Sequence, residues 1–221
     1  IFAIFKIVTI FLLGINVDPE HLIVRWQLLD TKLLEEHLFS SLLNMHYQPP
    51  LWNLIYGIFI KIFGSDINVL AKCIHFLNIT ISFISIYYFY LICDFLKIDN
   101  DKKILTFSIF FIISPGYLFY ETITHYTHLT TLLFAQLVYF FLKFSEKKNL
   151  KYEILIYFVS LILVYTWTAF SHPLFIGVIF FGIILIKFND NFIKSLLIFL
   201  IAVLIPKLPS IKNKIKFDIF A

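Results

Sequence analysis

Charged residues are scarce in this 221-residue chain, and glycine and cysteine are few. Only 14% of the residues are Asp, Glu, Lys or Arg, against about 25% in an average soluble domain, whereas 60% are hydrophobic. This composition excludes an ordinary soluble domain and predicts an integral membrane protein. The net charge of +4 is spread over short polar turns, which argues against a nucleic-acid partner and instead indicates membrane topology.

The two cysteines and the lack of internal repeats exclude further classes. Cys73 and Cys93 fall in one apolar segment, about 30 Å apart if that segment is helical, so they cannot form a disulfide with each other. Neither has the spacing of a metal ligand. We find no internal repeat of the kind seen in many transporters.

Long apolar stretches alternate with short polar turns. Residues 1–14 are apolar but short for a span, so we expect a truncated span at the start of a fragment of a longer protein. A signal peptide competes with this interpretation, but the segment has no basic start and no small-residue cleavage site. The other predicted spans are 67–95, 104–120, 127–144, 153–170, 173–188 and 192–206. The sequence thus predicts an all-α membrane bundle of about seven spans, forming one domain over 1–221.

Residues 15–66 form a polar loop that should carry its own helices. Leucines at 33, 34, 38, 42 and 43 recur at helical spacing, which predicts an amphipathic helix over 30–43 lying along the membrane surface. The prolines at 49 and 50 allow the next helix to begin only at or after Pro50. Because 51–63 is short and contains Lys61, we predict that it lies at the interface or re-enters the bilayer rather than spanning it.

Lysine distribution sets the predicted orientation. If 51–63 does not cross, the lysine-rich turns near 97–103, 143–151 and 187–194 face the cytoplasm, and the turns at 121–126 and 171–172, without Lys or Arg, face outward. The polar 15–50 loop then also faces outward. We therefore expect the polar chemistry of the chain to gather on the outer side of the membrane.

Several polar side chains are candidates for that outer site. Asp30 is either the N-cap of the helix that follows or a general base, and Asp18 and Glu20 compete for the second role. Glu121, His125 and His128 follow an E-x3-H-x2-H spacing, which would place the three side chains on one face of a helix. This set is a candidate site for a divalent metal, although we assign no metal ligand. A second set would contact substrate, with the cations placed to bind phosphate: Arg25, His125, His172, Lys207 and Lys212.

The order of these features resembles the integral-membrane glycosyltransferases of the GT-C fold, which include protein O-mannosyltransferases and aminoarabinose transferases. The specific element is His46-Tyr47-Gln48-Pro49-Pro50-Leu51, which is similar to the H-x-x-P-P-L element of that family. The remaining similarity is one of order: Trp26 to Asp30 in a long first loop, Ser114-Pro115 to Glu121, Ser171-His172-Pro173, and the segment 209–217.

The resemblance implies a function and its residues. It implies inverting transfer of a sugar from a polyprenyl-phosphate donor to a lipid, glycan or protein acceptor, at the outer face of a bacterial plasma membrane. Asp30, or else Asp18, would be the first acidic residue of the family and Glu121 the second. The usual Asp-Glu pair after the first span is replaced here by Asp18-Pro19-Glu20. Arg25 or Lys207 would stabilise the departing phosphate, and His46 and Gln48 would contact substrate.

Two other classes compete with the enzyme. A lipid or solute transporter would need internal repeats or polar residues near the middle of several spans, where this sequence offers mainly Lys72, His75 and Gln136. A membrane scaffold without catalysis would leave the grouping of carboxylates and histidines unexplained. Release of lipid phosphate from a bound polyprenyl-phosphate sugar would distinguish the enzyme from both.

Overall fold

A computed structural model describes residues 2–12, 14–20, 22, 28–45, 50–107, 111, 114–123, 125–166, 173–187 and 192–217. Within these ranges every regular element is helical, which confirms the all-α class. The α-helices are α1 (Phe2–Ile7), α2 (Thr31–Leu43), α3 (Pro50–Phe63), α4 (Ile67–Phe95), α5 (Asn100–Phe107), α6 (Pro115–Glu121), α7 (Thr127–Lys147), α8 (Leu150–Thr166), α9 (Pro173–Lys187) and α10 (Phe192–Phe217). A π-helical segment, Val8–Leu12, continues α1.

Two of these helices, α4 and α7, are long and apolar enough to cross a membrane. The bounds of α4 are those of the predicted span 67–95, and α7 begins at the predicted residue 127. Apolar helical stretches of 10–17 residues occur at Pro50–Phe63, Phe175–Ile186 and Ile193–Ile205. Both cysteines lie on α4 and are free, as their spacing requires.

The predicted span 104–120 is not one continuous helix. The helix α5 ends at Phe107, and α6 begins at Pro115 after a residue with extended backbone, Ser114 (φ −63°, ψ 112°). The Ser114 hydroxyl caps α6 by accepting from the Tyr117 backbone N–H at 3.4 Å. Hydrophobicity alone did not reveal this break, although a serine followed by proline is a typical helix start.

Helices α2 and α3 of the polar loop pack against each other, and α3 begins at Pro50 as predicted. Two of the five predicted leucines, Leu34 and Leu38, are buried, whereas Leu33 and Leu43 are exposed. Gly57 on α3 permits close packing, because a Cβ there would overlap Leu38 Cδ1. The apolar face of α2 is therefore narrower than the sequence pattern indicates.

Two groups of buried apolar residues organise the fold. The loop cluster joins the 15–22 segment, α2, α3, the first half of α4 and the turn before α7; its members are Val17, Leu22, Leu34, Leu38, Trp52, Tyr56, Ile60, Leu70, Ala71, Ile74 and Tyr126. The bundle cluster joins α7 to α10; its members are Leu133, Leu137, Phe140, Phe144, Ile156, Tyr157, Val159, Leu163, Val164, Ile176, Ile179, Ile183 and Ala202.

Candidate functional site

Glu121 ends α6 and is a buried acidic residue, only 3% exposed. Its Oε2 atom lies 2.5 Å from Nζ of Lys6 on α1, and both side chains are at most 5% exposed. A buried ion pair requires further polar contacts, because desolvation of two charges is costly. Those contacts come from two more helices.

Helix α4 supplies the first of these contacts. Asn78 Nδ2 donates to the Glu121 backbone oxygen at 2.9 Å, and Ser82 Oγ donates to Glu121 Oε2 at 3.3 Å. Both are fully buried near the middle of α4. They belong to a buried polar stripe with His75 and Ser85, at spacings of three, seven and ten residues from His75. This spacing places all four side chains on one face of the helix.

Helix α7 supplies the second contact through His128, which is 1% exposed. Its Nε2 atom lies 3.9 Å from Glu121 Oε2, beyond hydrogen-bond distance. The imidazole packs against the Tyr117 ring, with centroids 4.4 Å apart and an interplanar angle of 32°. We call Lys6, Asn78, Ser82, Glu121 and His128 the Glu121 cluster.

The Glu121 carboxylate is surrounded by polar partners. Its Oε2 atom lies 2.5 Å from the Lys6 ammonium and 3.9 Å from the His128 imidazole, and it also accepts a hydrogen bond from Ser82. The carboxylate is therefore paired with the Lys6 cation. A carboxylate that is already paired with a cation is better suited to stabilising the packing of its neighbours than to accepting a proton.

Asp30 and Asp18 have a different environment. Asp30 is exposed and is the N-cap of α2: its Oδ1 accepts from the Lys32 backbone N–H at 2.8 Å, which confirms the capping interpretation. Asp18 is also exposed and accepts from the Glu20 backbone N–H at 2.9 Å. Both carboxylates are therefore accessible to solvent or to a substrate, unlike Glu121.

The loop cluster brings the acidic segments into one region. It contains Val17, the neighbour of Asp18, and Tyr126, from the turn that follows Glu121. Leu29, the neighbour of Asp30, packs against it, and its backbone N–H donates to Asn53 Oδ1 of α3 at 2.7 Å. Segments distant in sequence thus pack on one apolar group.

The predicted common helix face of Glu121, His125 and His128 is wrong. Helix α6 ends at Glu121 and α7 begins only at Thr127, so His125 lies in the turn between them. Its Nδ1 contacts Thr127 Oγ1, and its ring packs on Tyr126 with centroids 4.1 Å apart. Throughout the part of the chain that the structure describes, no group of three His, Cys, Asp or Glu side chains could hold a metal ion.

Two of the predicted phosphate-binding cations, Lys207 and Lys212, lie on α10. Lys212 Nζ contacts the Leu43 carbonyl and lies 3.1 Å from Asn44 Oδ1, so its charge sits at the C-terminal end of α2 and favours that helix dipole. Lys207 is half-buried on α10. Arg25, His46, Gln48 and His172 lie outside the described residues.

Three members of the Glu121 cluster were not predicted from the sequence: Lys6, Asn78 and Ser82. Two signals pointed to them. Lys6 is a lone charge in an apolar segment, and Asn78 and Ser82 are four residues apart on a predicted span. Polar residues within apolar spans are expensive and commonly face one another. The partner helix of each residue was not readable from the sequence.

Comparisons of the chain with models of protein families, with curated proteins and with solved structures found no match.

Proposed function

We propose that the chain is a membrane-embedded glycosyltransferase that transfers a sugar, with inversion, from a polyprenyl-phosphate donor to an acceptor at the outer face of a bacterial plasma membrane. The observation that carries this proposal is the loop cluster. It packs the segments bearing Asp18 and Asp30 and the turn after Glu121 against the amphipathic pair α2 and α3. Such a pair suits a substrate with a polar headgroup and an apolar tail.

Exposed apolar side chains support a membrane location for the proposed bundle of about seven spans. On α4, Phe76, Phe83 and Tyr87 are 73%, 44% and 57% exposed, at spacings that place them on one side of the helix. On α9, Val178, Phe181 and Leu185 are 67%, 62% and 59% exposed. Large apolar surfaces of this kind mark contact with lipid or another protein, and a lipid bilayer covers all of them at once.

The proposed reaction uses an accessible carboxylate and a cation. Asp30, or else Asp18, accepts the proton of an acceptor hydroxyl while that oxygen forms a bond to the anomeric carbon. The bond from the anomeric carbon to the phosphate oxygen breaks, and the polyprenyl phosphate leaves with both electrons. Arg25 or Lys207 would stabilise its negative charge. The Glu121 cluster would hold the turn between α6 and α7 against α4.

Asparagine variants separate catalysis from helix capping. Asparagine caps helices about as well as aspartate but cannot accept the proton. We expect Asp30→Asn or Asp18→Asn to slow release of lipid phosphate from tritiated undecaprenyl-phosphate mannose or aminoarabinose by about 10²–10⁴-fold, with unchanged unfolding. The matched control is Asp66→Asn, since Asp66 caps α4 by accepting from the Asn68 N–H at 2.8 Å.

The proposal fails if the wild-type protein releases lipid phosphate from neither donor. The assignment of the base fails separately if the double variant Asp18→Asn/Asp30→Asn transfers sugar as fast as the wild type. Loss of activity in Asp66→Asn to the same degree would mean that capping, and not proton transfer, is being measured.

The buried ion pair favours a second function, a lipid or solute transporter. Lys6, Glu121 and His128 place ionisable groups beside the middle of α4, where transporters commonly hold charged residues. A transporter would move a labelled polyprenyl-phosphate sugar across a proteoliposome membrane without releasing lipid phosphate. Translocation without release would replace the enzyme proposal with this one.

A further inference from the structure

Lysines gather where the two helices of membrane-spanning length end. Helix α4 ends at Phe95 and α7 at Lys147. The two ends are adjacent, because Nζ of Lys143 on α7 lies 4.9 Å from the centroid of the Phe95 ring. Together, the segments 94–103 and 143–151 carry seven lysines and four acidic residues. Lysine is therefore in excess at this end of the helix pair.

Ion pairs within the two segments neutralise three of the seven lysines. Three of the acidic residues each lie 3.1 or 3.2 Å from a lysine, in the pairs Asp94 with Lys103, Asp99 with Lys102, and Glu146 with Lys143. The fourth acidic residue, Asp101, is exposed. The other four lysines are exposed and have no ion pair among the residues that the structure describes; we call them the lysine patch: Lys97, Lys147, Lys148 and Lys151.

The backbone indicates that two members of the lysine patch are present for their charge. Lys97 and Lys148 follow the ends of α4 and α7 with positive φ, 55° and 47°. Glycine is favoured in this left-handed conformation, since any other side chain there costs free energy. In the described part of the chain, the non-glycine residues with positive φ are these two lysines. A lysine at both positions suggests that the cation supplies a contact that glycine could not.

Apolar and aromatic side chains are exposed next to the lysine patch. Leu96 and Leu150 are 54% and 42% exposed, and each directly precedes a lysine of the patch in the sequence. On α4, Tyr87 and Tyr90 are 57% and 44% exposed, two to three helical turns before Lys97. Tyrosine is enriched at the level of lipid headgroups. A soluble acidic partner would account for the lysines alone, whereas a lipid accounts for the lysines and for the exposed apolar side chains beside them.

We propose that the lysine patch binds the headgroups of anionic phospholipids, while the exposed leucines beside it contact their acyl chains. Phosphate oxygens are strong acceptors for an ammonium group, and basic residues that flank a membrane helix attract anionic lipids. Lysines at helix C-termini can also stabilise the helix dipole, but that effect needs no lipid. The inference goes beyond the proposed transfer reaction and stands without it, because it concerns a bilayer lipid and not the sugar donor.

Two lipids with the same acyl chains test the charge of the ligand. Radiolabelled dioleoyl-phosphatidylglycerol is anionic, whereas dioleoyl-phosphatidylcholine has no net charge. We expect the purified full chain in dodecyl maltoside to bind phosphatidylglycerol at least about tenfold more tightly, since each lysine near a membrane surface contributes a factor of about five. Raising NaCl from about 0.1 M to about 0.5 M should weaken binding of phosphatidylglycerol but not of phosphatidylcholine, because salt screens exposed charges.

Triple variants test the location. Replacing three lysines of the patch should weaken binding of phosphatidylglycerol at least about tenfold: Lys147→Gln, Lys148→Gln and Lys151→Gln. Arginine at the same three positions keeps the charge and should bind as the wild type does. The matched control removes three exposed lysines elsewhere and should also bind as the wild type does: Lys32→Gln, Lys61→Gln and Lys72→Gln.

Acetylation of the wild type tests the same site without a substitution. Acetic anhydride modifies exposed lysines, and mass spectrometry of the digested protein gives the rate at each one. Phosphatidylglycerol should slow acetylation of Lys147, Lys148 and Lys151 at least about threefold and leave that of Lys61 unchanged. This measurement keeps the proposal testable if the glutamine variant does not fold.

Several outcomes would overturn the proposal. Equal affinity of the wild type for the two lipids would exclude a site for anionic headgroups, and equal losses in the patch and control variants would exclude this location. A patch variant that is less stable but keeps the wild-type preference would assign the lysines to the helix dipoles. Displacement of phosphatidylglycerol by an equal charge of oligo-dT would assign the patch to a soluble polyanion. None of these results depends on release of lipid phosphate from a sugar donor, so failure of this site and failure of the transferase proposal are distinguishable.

Discussion

The Glu121 cluster and the bundle cluster bury polar atoms in different ways. In the bundle, the fully buried Ser160 and Thr166 each donate to a carbonyl of their own helix, Ile156 and Ile162, both at 2.7 Å. In the Glu121 cluster, the polar contacts run between helices, from α1 and α4 to the end of α6. Helix positions in the bundle are thus set mainly by apolar packing, with a hydrogen bond between helices from the Tyr165 hydroxyl to the Ile205 carbonyl at 3.1 Å, whereas those around Glu121 are also set by an ion pair and hydrogen bonds.

This difference predicts where the protein tolerates substitution. Apolar packing tolerates substitution, because replacing one core side chain by another apolar side chain of similar volume costs little free energy of unfolding. A buried ion pair is less adaptable, because removal of one partner leaves an uncompensated charge. The region around Glu121 should therefore be sensitive to single polar changes to which the bundle is indifferent.

The largest expected effect comes from breaking the Lys6–Glu121 pair. Lys6→Met or Glu121→Gln should lower the free energy of unfolding by about 3–5 kcal/mol, because the remaining buried charge or amide lacks its partner. SDS-induced unfolding in mixed micelles, followed by circular dichroism, measures the change. The double variant Lys6→Met/Glu121→Leu should recover most of the loss, since it leaves no buried charge.

An exposed ion pair of the bundle region is the control. Lys143 and Glu146 on α7 are 3.1 Å apart, with side chains 24% and 50% exposed. Removing this pair with Lys143→Met should change the free energy of unfolding far less than Lys6→Met does, because solvent screens the pair. Equal losses in Lys6→Met and Lys143→Met would remove the distinction between the two regions.

The next largest change in the free energy of unfolding is expected from substitutions at two glycines. Gly57→Ala should destabilise the protein by about 1–3 kcal/mol, because the new methyl group would force Leu38 of α2 away from α3. Gly177→Ala, where an added Cβ meets nothing within 4 Å, should instead stabilise α9 by up to about 1 kcal/mol. The same unfolding assay compares them. A stabilising Gly57→Ala would show that α2 packs less closely on α3 than we describe.

Much of the fold was predictable from local sequence. Proline and an acidic cap fixed the starts of α3 and α2, at Pro50 and after Asp30, because both act on the backbone next to them. The long apolar run at 67–95 predicted the bounds of α4. The break at Ser114 leaves little trace in the hydropathy of 104–120, because a capping serine and a proline can interrupt a helix without making the whole segment polar.

The Glu121 cluster was only partly predictable for a physical reason. Glu121 was singled out by its place after an apolar segment, but its partner Lys6 lies 115 positions away, and nothing local specifies which buried charges meet. The stripe from His75 to Ser85 was readable as helical periodicity. Its partner helix depends on how the helices pack, which the sequence pattern does not determine.

The smallest expected effect separates the two kinds of buried hydroxyl. Ser82→Ala removes a 3.3 Å hydrogen bond to the Glu121 carboxylate and should destabilise the protein by about 1 kcal/mol. Ser160→Ala removes only a bond to its own helix, whose Ile156 carbonyl keeps its helical partner, so the change should be within about 0.5 kcal/mol. Both serines are fully buried, so the lost volume is matched and the unfolding assay compares the polar contacts of the two hydroxyls. If Ser160→Ala cost as much as Ser82→Ala, hydroxyl groups would be equally important in both regions, and the contrast between polar and apolar organisation would have to rest on the ion pair by itself.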